Sequence, residues 1–175
     1  GENGAVASLL TRKLGKVRVA SYRGGARTVA LQGACEIRVV LSRADLAFDL
    51  SGGDDLYTVS DREVIRAFDS CFRSPDAFAA YASVLEIVDA FSPDHASDPD
   101  LYDGVLAFLE RLDGASDEAR RVTLLRAFEI RFLARVGHLG SVSFCAECRA
   151  EIGDESVLRL DPAEGGAFCA SCAPG

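Results

Sequence analysis

A chain of 175 residues, 49% apolar and 26% charged, has the composition of a folded soluble protein and room for one ordinary domain or two small ones. That apolar content excludes a disordered chain, and the lack of any run of about 18 apolar residues excludes a membrane-spanning helix. The formal net charge of −8 hides a basic end. Arg12, Lys13, Lys16, Arg18, Arg23 and Arg27 follow one another with no acidic residue between Arg12 and Arg27. Through Arg43, eight basic residues stand against Glu2 and Glu36, a balance of +6, which leaves −14 for residues 44–175. Such a basic end is the footprint of nucleic-acid binding, or else a solvated loop and strand face.

No methionine occurs, so the natural start residue is not in this sequence. Gly1-Glu2-Asn3-Gly4 offers neither the basic n-region nor the apolar h-region of a secretory signal. Six cysteines without an export signal favour a reducing cytoplasm, with thiols kept for metal. Cys35 and Cys71 sit in apolar stretches and read as buried free thiols.

The first sixty residues predict strands. Ala5–Leu10 leads into the polar turn Thr11-Arg-Lys-Leu-Gly15, and residues 16–23 then alternate as a half-buried strand does. Val17, Val19 and Ser21 fall on one face, Arg18, Ala20 and Tyr22 on the other. Further strands are expected over 34–41, about 46–50 and 56–59, and several short antiparallel strands in this length suggest a small barrel. At Ser60 the period becomes helical, with Ser60-Asp-Arg-Glu63 as a capping box for a helix through about Phe72. Ser74-Pro75 opens a second helix with the stripe Phe78, Tyr81, Ala82, Leu85 and Val88. Asp98-Pro99 opens a third, with Leu101, Val105, Phe108, Leu109 and Leu112 as its stripe. Ser116 opens the longest, whose apolar face holds Leu124, Leu125, Phe128, Phe132, Leu133 and Val136 and which Gly137 caps. Four helices with short connections predict an antiparallel bundle.

The last segment carries Cys145-Ala-Glu-Cys148, a twenty-residue spacer, and Cys169-Ala-Ser-Cys172. Each C-x2-C can grip an ion from one tight turn, and two such turns complete a tetrahedron, the pattern of a structural zinc site. Redox pairs and disulfides are the rival readings. A redox C-x2-C normally occurs once, at a helix N-terminus, whereas this one is duplicated in a Gly/Asp-rich segment. Residues 141–175 have too little apolar material to fold alone, so a metal would supply the missing stabilisation. Phe144 and Phe168, each preceding a knuckle, are placed to cover the ion.

The order of strands, helices and paired C-x2-C resembles the bacterial recombination mediator family RecO. Thr11-Arg-Lys-Leu-Gly-Lys16 is similar to that family's T-x-x-x-G-K turn, and Gly24-Gly-Ala-Arg27 to its G-A-R stretch. Leu125–Leu133 with Val136-Gly-His138 resembles its helix before the zinc site, and Pro162 with Gly165-Gly166 its P-x-x-G-G turn. The family's first barrel strand, the basic loop after G-A-R and the helices after the zinc site have no counterpart here. The resemblance implies an α+β fold in three parts. These are an oligonucleotide-binding (OB-like) barrel over 1–59 that is short of its first strand, a helical bundle over 60–140, and a four-cysteine zinc-ribbon-like element over 141–175. It implies a bacterial cytoplasmic, nucleoid-associated mediator of DNA repair, not an enzyme, that binds single- and double-stranded DNA. Its partners would be RecR and the acidic, apolar-ended C-terminal tail of the single-strand-binding protein, and it would anneal coated strands and help load RecA. On this reading Arg12, Lys13, Lys16, Arg18, Arg23 and Arg27 contact phosphates, and Tyr22 stacks on a base. Cys145, Cys148, Cys169 and Cys172 hold one zinc, and Arg62, Arg66 and Arg73 are expected to meet the acidic tail.

His95 and His138 lie beside no Ser or Cys nucleophile motif, and the glycine pairs lack phosphate-loop or dinucleotide spacing. The competing functions are a zinc-containing protein–protein adaptor without DNA binding and an oxidoreductase using one C-x2-C.

Overall fold

The computed structural model describes residues 4–22, 34–43, 56–140, 142–153, 159–161 and 166–173, with the backbone alone for 4, 5, 21, 22, 42 and 43. They fall into two compact units, Gly1–Leu124 and Leu125–Gly175.

In the first unit, β1 (Gly4–Thr11) and β2 (Gly15–Tyr22) form an antiparallel hairpin with Leu9 opposite Val17 and Ala7 opposite Val19. Val17 and Val19 are fully buried while Arg18 between them is exposed, the alternation the sequence predicts. Thr11 shapes the turn: its hydroxyl accepts from Leu14 N at 3.0 Å and donates to the Gly15 carbonyl at 2.9 Å. β3 (Cys35–Arg43) runs antiparallel to β4 (Leu56–Ala67), with register shifts at Glu36/Ile37 and Val40/Leu41. The sheet order is β1-β2-β4-β3. One pairing departs from the antiparallel expectation, because β2 and β4 are parallel, Arg18 opposite Leu56 and Ala20 opposite Thr58. The chain between them includes β3, so β4 returns by a crossover rather than a hairpin. The strand expected at 46–50 lies outside the described residues.

The helix expected over Ser60–Phe72 is not formed. β4 continues through Ala67, where β-branched Val59 and Val64 pair with Leu41 and Ile37 of β3, and only Asp69–Phe72 turns, as a short 3-10 helix. The Ser60 hydroxyl, instead of capping a helix, donates across the ladder to the Val40 carbonyl at 3.1 Å. Phe68 and Cys71 are driven inward at this transition.

Three helices follow rather than four: α1 (Pro75–Phe91), α2 (Pro99–Asp113) and α3 (Glu118–Arg135). The first two begin as predicted, with the Ser74 hydroxyl accepting from Ala77 N at 3.4 Å and Asp98 accepting from Leu101 N at 2.9 Å. α3 starts one residue later than Ser116 suggests, since the Asp117 carboxylate accepts from Arg120 N at 2.9 Å. It ends at Arg135 and is closed by Gly137, at a φ of +77°, with the paired bonds Gly137 N to Ala134 O and His138 N to Leu133 O.

The α2 stripe is buried as read: Leu101, Val105, Phe108, Leu109 and Leu112. Of the α1 stripe only Val88 is buried, and it shares the buried face with Ala77, Ala80 and Val84. α1 is apolar around most of its circumference, so its largest residues need not face inward. Phe78 and Tyr81 instead join Phe72 in a cluster of rings 5.6–6.2 Å apart. On α3 only Phe132 is buried, and Leu133 and Val136 are exposed. Among the described residues no helix is long and apolar enough to cross a membrane.

Candidate metal centre and nucleic-acid interface

The second unit contains the cysteine quartet. Its core is Cys145, Ile152, Ala167 and Phe168, with Val142, Ala146, Cys169, Cys172 and Ala173 half-buried against it. The first knuckle closes on itself: Cys145 N donates to Ala150 O at 2.9 Å and Arg149 N to Cys145 O at 3.0 Å, with Arg149 at a φ of +62°. The second closes through Cys172 N and Ala173 N, both donating to Cys169 O. A short hairpin, β5 (Arg159–Asp161) with β6 (Gly166–Phe168), delivers it, and Ala146 N bonds Ala167 O at 2.8 Å to join the two knuckles.

The four Sγ atoms lie within 4.8 Å of one another. A tetrahedral ion with sulfur at about 2.3 Å sets sulfur–sulfur edges near about 3.8 Å. Cys148 Sγ and Cys169 Sγ are 3.8 Å apart. None of the six cysteines forms a disulfide. The quartet therefore fits one metal ion. Backbone N–H groups already favour thiolates there: those of Cys169 and Cys148 pull Cys145 down to about 6, and those of Cys172 and Ser171 lower Cys169. Cys172 is pushed up to about 12, chiefly because it shares its proton with Cys148 and then Cys169. Phe168 is buried beside Cys145, but Phe144 is exposed, its backbone bridging Glu151.

Cys71 is fully buried, which pushes its thiol up to about 11, and Cys35 is half-buried. The His138 backbone N–H donates to Leu133 O at the end of α3, and His95, at a φ of +59°, has its ring 5.9 Å from that of Tyr57.

The basic strip is less available than its sequence suggests. Arg12 makes a forked pair with Asp103 of α2, Nε to Oδ1 at 3.1 Å and Nη2 to Oδ2 at 2.8 Å. Lys16 is nearly covered, its side chain 13% exposed; Nζ donates to the Asp89 carbonyl at 2.6 Å and pairs with Asp94 at 3.2 Å. Arg18 Nε reaches Asp94 at 3.6 Å. The backbone follows suit: His95 N donates to Lys16 O at 2.9 Å and the Ser97 hydroxyl to Arg12 O at 3.2 Å. Lys13 alone among the four described cations of this strip carries no ion pair. Tyr22 closes β2, while its side chain and residues Arg23 and Arg27 lie outside the described residues. Sequence reasoning missed Asp89, Asp94 and Asp103 as partners, because each is one acid among 27 and only the fold selects it.

Arg62 and Arg66 stand on β4 instead of on a helix. Arg66 pairs with Glu110 of α2 and lies 4.0 Å from Glu36. Arg73 follows the 3-10 helix, its N–H bonded to Ser70 O.

The family model described as recombination protein O C terminal matches residues 73–175. The chain is 33% identical over 175 residues to a DNA repair protein RecO of Anaeromyxobacter sp. (strain K), covering all of this chain and 66% of that protein. To the DNA repair protein RecO of Desulforudis audaxviator (strain MP104C) it is 31% identical over 169 residues, 94% of this chain and 61% of the relative. For that of Dehalococcoides mccartyi (strain ATCC BAA-2100 / JCM 16839 / KCTC 5957 / BAV1) the figures are 28% over 172 residues, 98% and 64%. The chain thus spans about two thirds or slightly less of these relatives' length. With the family match covering both the helices α1 to α3 and the cysteine quartet, the chain belongs to the recombination protein O (RecO) family.

Proposed function

We propose that the chain is the working part of a DNA-binding recombination mediator in bacterial DNA repair, acting in the cytoplasm and performing no catalysis. The observation that carries this reading is the likeness along the whole chain to proteins named DNA repair protein RecO. The ion held by Cys145, Cys148, Cys169 and Cys172 is zinc, whose role is structural because four thiolates leave no open coordination position. The β1–β4 sheet belongs to an OB-like barrel; a mixed sheet in order β1-β2-β4-β3 with a crossover into β4 supports this. Its phosphate contacts come from Arg12, Lys13, Arg18, Arg23 and Arg27, with Tyr22 as the stacking residue. Lys16, nearly covered, serves to hold the hairpin. Single- and double-stranded DNA, RecR and the tail of the single-strand-binding protein are the partners.

A protein–protein adaptor is the second reading. The pairing of Arg12, Lys16 and Arg18 with carboxylates favours it, since paired cations attract DNA less. The discriminating experiment is annealing of complementary strands coated with single-strand-binding protein, without nucleotide. A mediator anneals them, and faster with the intact coating protein than with one lacking its acidic tail. Equal rates would remove the tail from the account, and no annealing in either case would select the adaptor.

A further inference from the structure

We propose that Asp103 is a placeholder for a DNA phosphate on Arg12, an autoinhibitory contact that withholds one cation of the hairpin until nucleic acid displaces it. The inference rests on the DNA-binding reading above. Three observations carry it. First, the Arg12–Asp103 pair is a two-bond fork, and a guanidinium fork receives a phosphate in the same geometry as a carboxylate. Second, both side chains are open to solvent, 60% exposed for Arg12 and 50% for Asp103, so a phosphate can reach the fork and the freed carboxylate can be hydrated. Third, the hairpin does not depend on this pair to stay in place. Lys16 is held by Asp89 and Asp94, its carbonyl accepts from His95, and the Gly15 backbone lies against Ala96. Arg12 can exchange partners while β1 and β2 stay docked. Lys16 cannot, because its ammonium is enclosed by the acceptors that hold it.

The exchange is a balanced one. Two N–H···O bonds from Arg12 to Asp103 are lost and two to phosphate oxygens are made, with no proton transferred. In wild-type protein the gain from Arg12 is reduced by the carboxylate it leaves behind, so Asp103 lowers affinity without touching DNA.

The test uses the full chain with a fluorescein-labelled oligothymidylate across a salt series, comparing Asp103→Asn with Glu86→Gln. Glu86 is exposed on α1 and lies in no ion pair described for the chain, so its variant changes net charge equally and leaves the fork intact. Asp103→Asn is expected to bind about threefold to fivefold tighter than Glu86→Gln near about 0.1 M salt, with a similar log–log salt slope because Arg12 meets a phosphate in both. Arg12→Gln added to Asp103→Asn, which keeps the wild-type net charge, should bind no tighter than the wild type. Wild-type binding with Asp103→Asn no tighter than Glu86→Gln would overturn the placeholder and leave DNA binding standing. A gain that persists in the double variant would overturn it as well. Failure of every protein, wild type included, to bind at low salt would overturn the DNA-binding reading beneath it.

Discussion

Replacing Gly15 by alanine is expected to destabilise the protein by about 3 kcal/mol or more, near the top of the range for a single methyl group. Two causes combine. Gly15 has a φ of +72°, where an L side chain itself costs about 1–2 kcal/mol. A Cβ there would stand 2.1 Å from the Ala96 carbonyl oxygen and 2.4 Å from its carbon, backbone atoms that cannot rotate away. The loop after α1 would have to withdraw, and the His95–Lys16 and Ser97–Arg12 bonds would go with it. Gly104→Ala is the matched control. That position lies inside α2 with nothing within 4 Å of an added Cβ, so alanine should stabilise by about 0.5–1 kcal/mol. Denaturant unfolding followed by far-ultraviolet circular dichroism reads both. A loss larger than the about 1–2 kcal/mol of the positive φ alone confirms that the hairpin turn is clamped against Ala96, and a neutral Gly15→Ala would show that it is not.

Cys148→Ser is expected to abolish tight zinc binding and unfold residues 142–173 while leaving the first unit folded. Cys148 is exposed, so the change opens no core cavity and its effect reports the ligand alone. Among the described residues the core around the quartet holds four buried side chains, too few to offset the entropy of ordering this segment without the roughly 10–16 kcal/mol that structural zinc supplies to small domains. Metal analysis should give one zinc per wild-type chain, none after Cys148→Ser, and an unchanged value for Cys35→Ser. Hydrogen exchange should lose protection at Ala146 N and Ile152 N, both bonded in the wild type. Acid should act in the same direction. Zinc needs four thiolates, so protons compete with it and affinity weakens as pH falls; the competition sharpens toward about 6, where Cys145 takes up its proton. Cys172, which keeps its proton to about 12 without metal, releases it on binding, so loading the site should acidify an unbuffered solution.

Local signals survived into the structure where one segment determined them. The Ser74-Pro75 and Asp98-Pro99 starts, the α2 stripe, the Gly137 stop and the close approach of four cysteines each depend on residues a few positions apart or on one repeated motif. Errors arose where a distant segment decided. Ser60-Asp-Arg-Glu63 fits a capping box, yet β3 offers Val40 O and a ladder of partners, and strand pairing prevailed. In α1 the sequence is apolar on too many sides for its period to name a face, so packing chose the small residues. The candidate DNA strip shows the same limit. Its positive charge was countable, but Asp89, Asp94 and Asp103 stand 73 to 91 positions further along the chain than the cations they meet, and only folding places them on Arg12, Lys16 and Arg18.

The most direct test of the central claim is the salt dependence of single-stranded DNA binding by this chain. Each phosphate contact on a single strand contributes about −0.7 to the log–log slope, so six cations would give at most about −4. With Lys16 enclosed and the other cations not all engaged at once, we expect about −2 to −3, uniform across base sequences and reduced by neutralising Arg12, Lys13 and Lys16 together. A slope near zero, or a triple variant that binds as the wild type does, would contradict the assignment of DNA binding to this face.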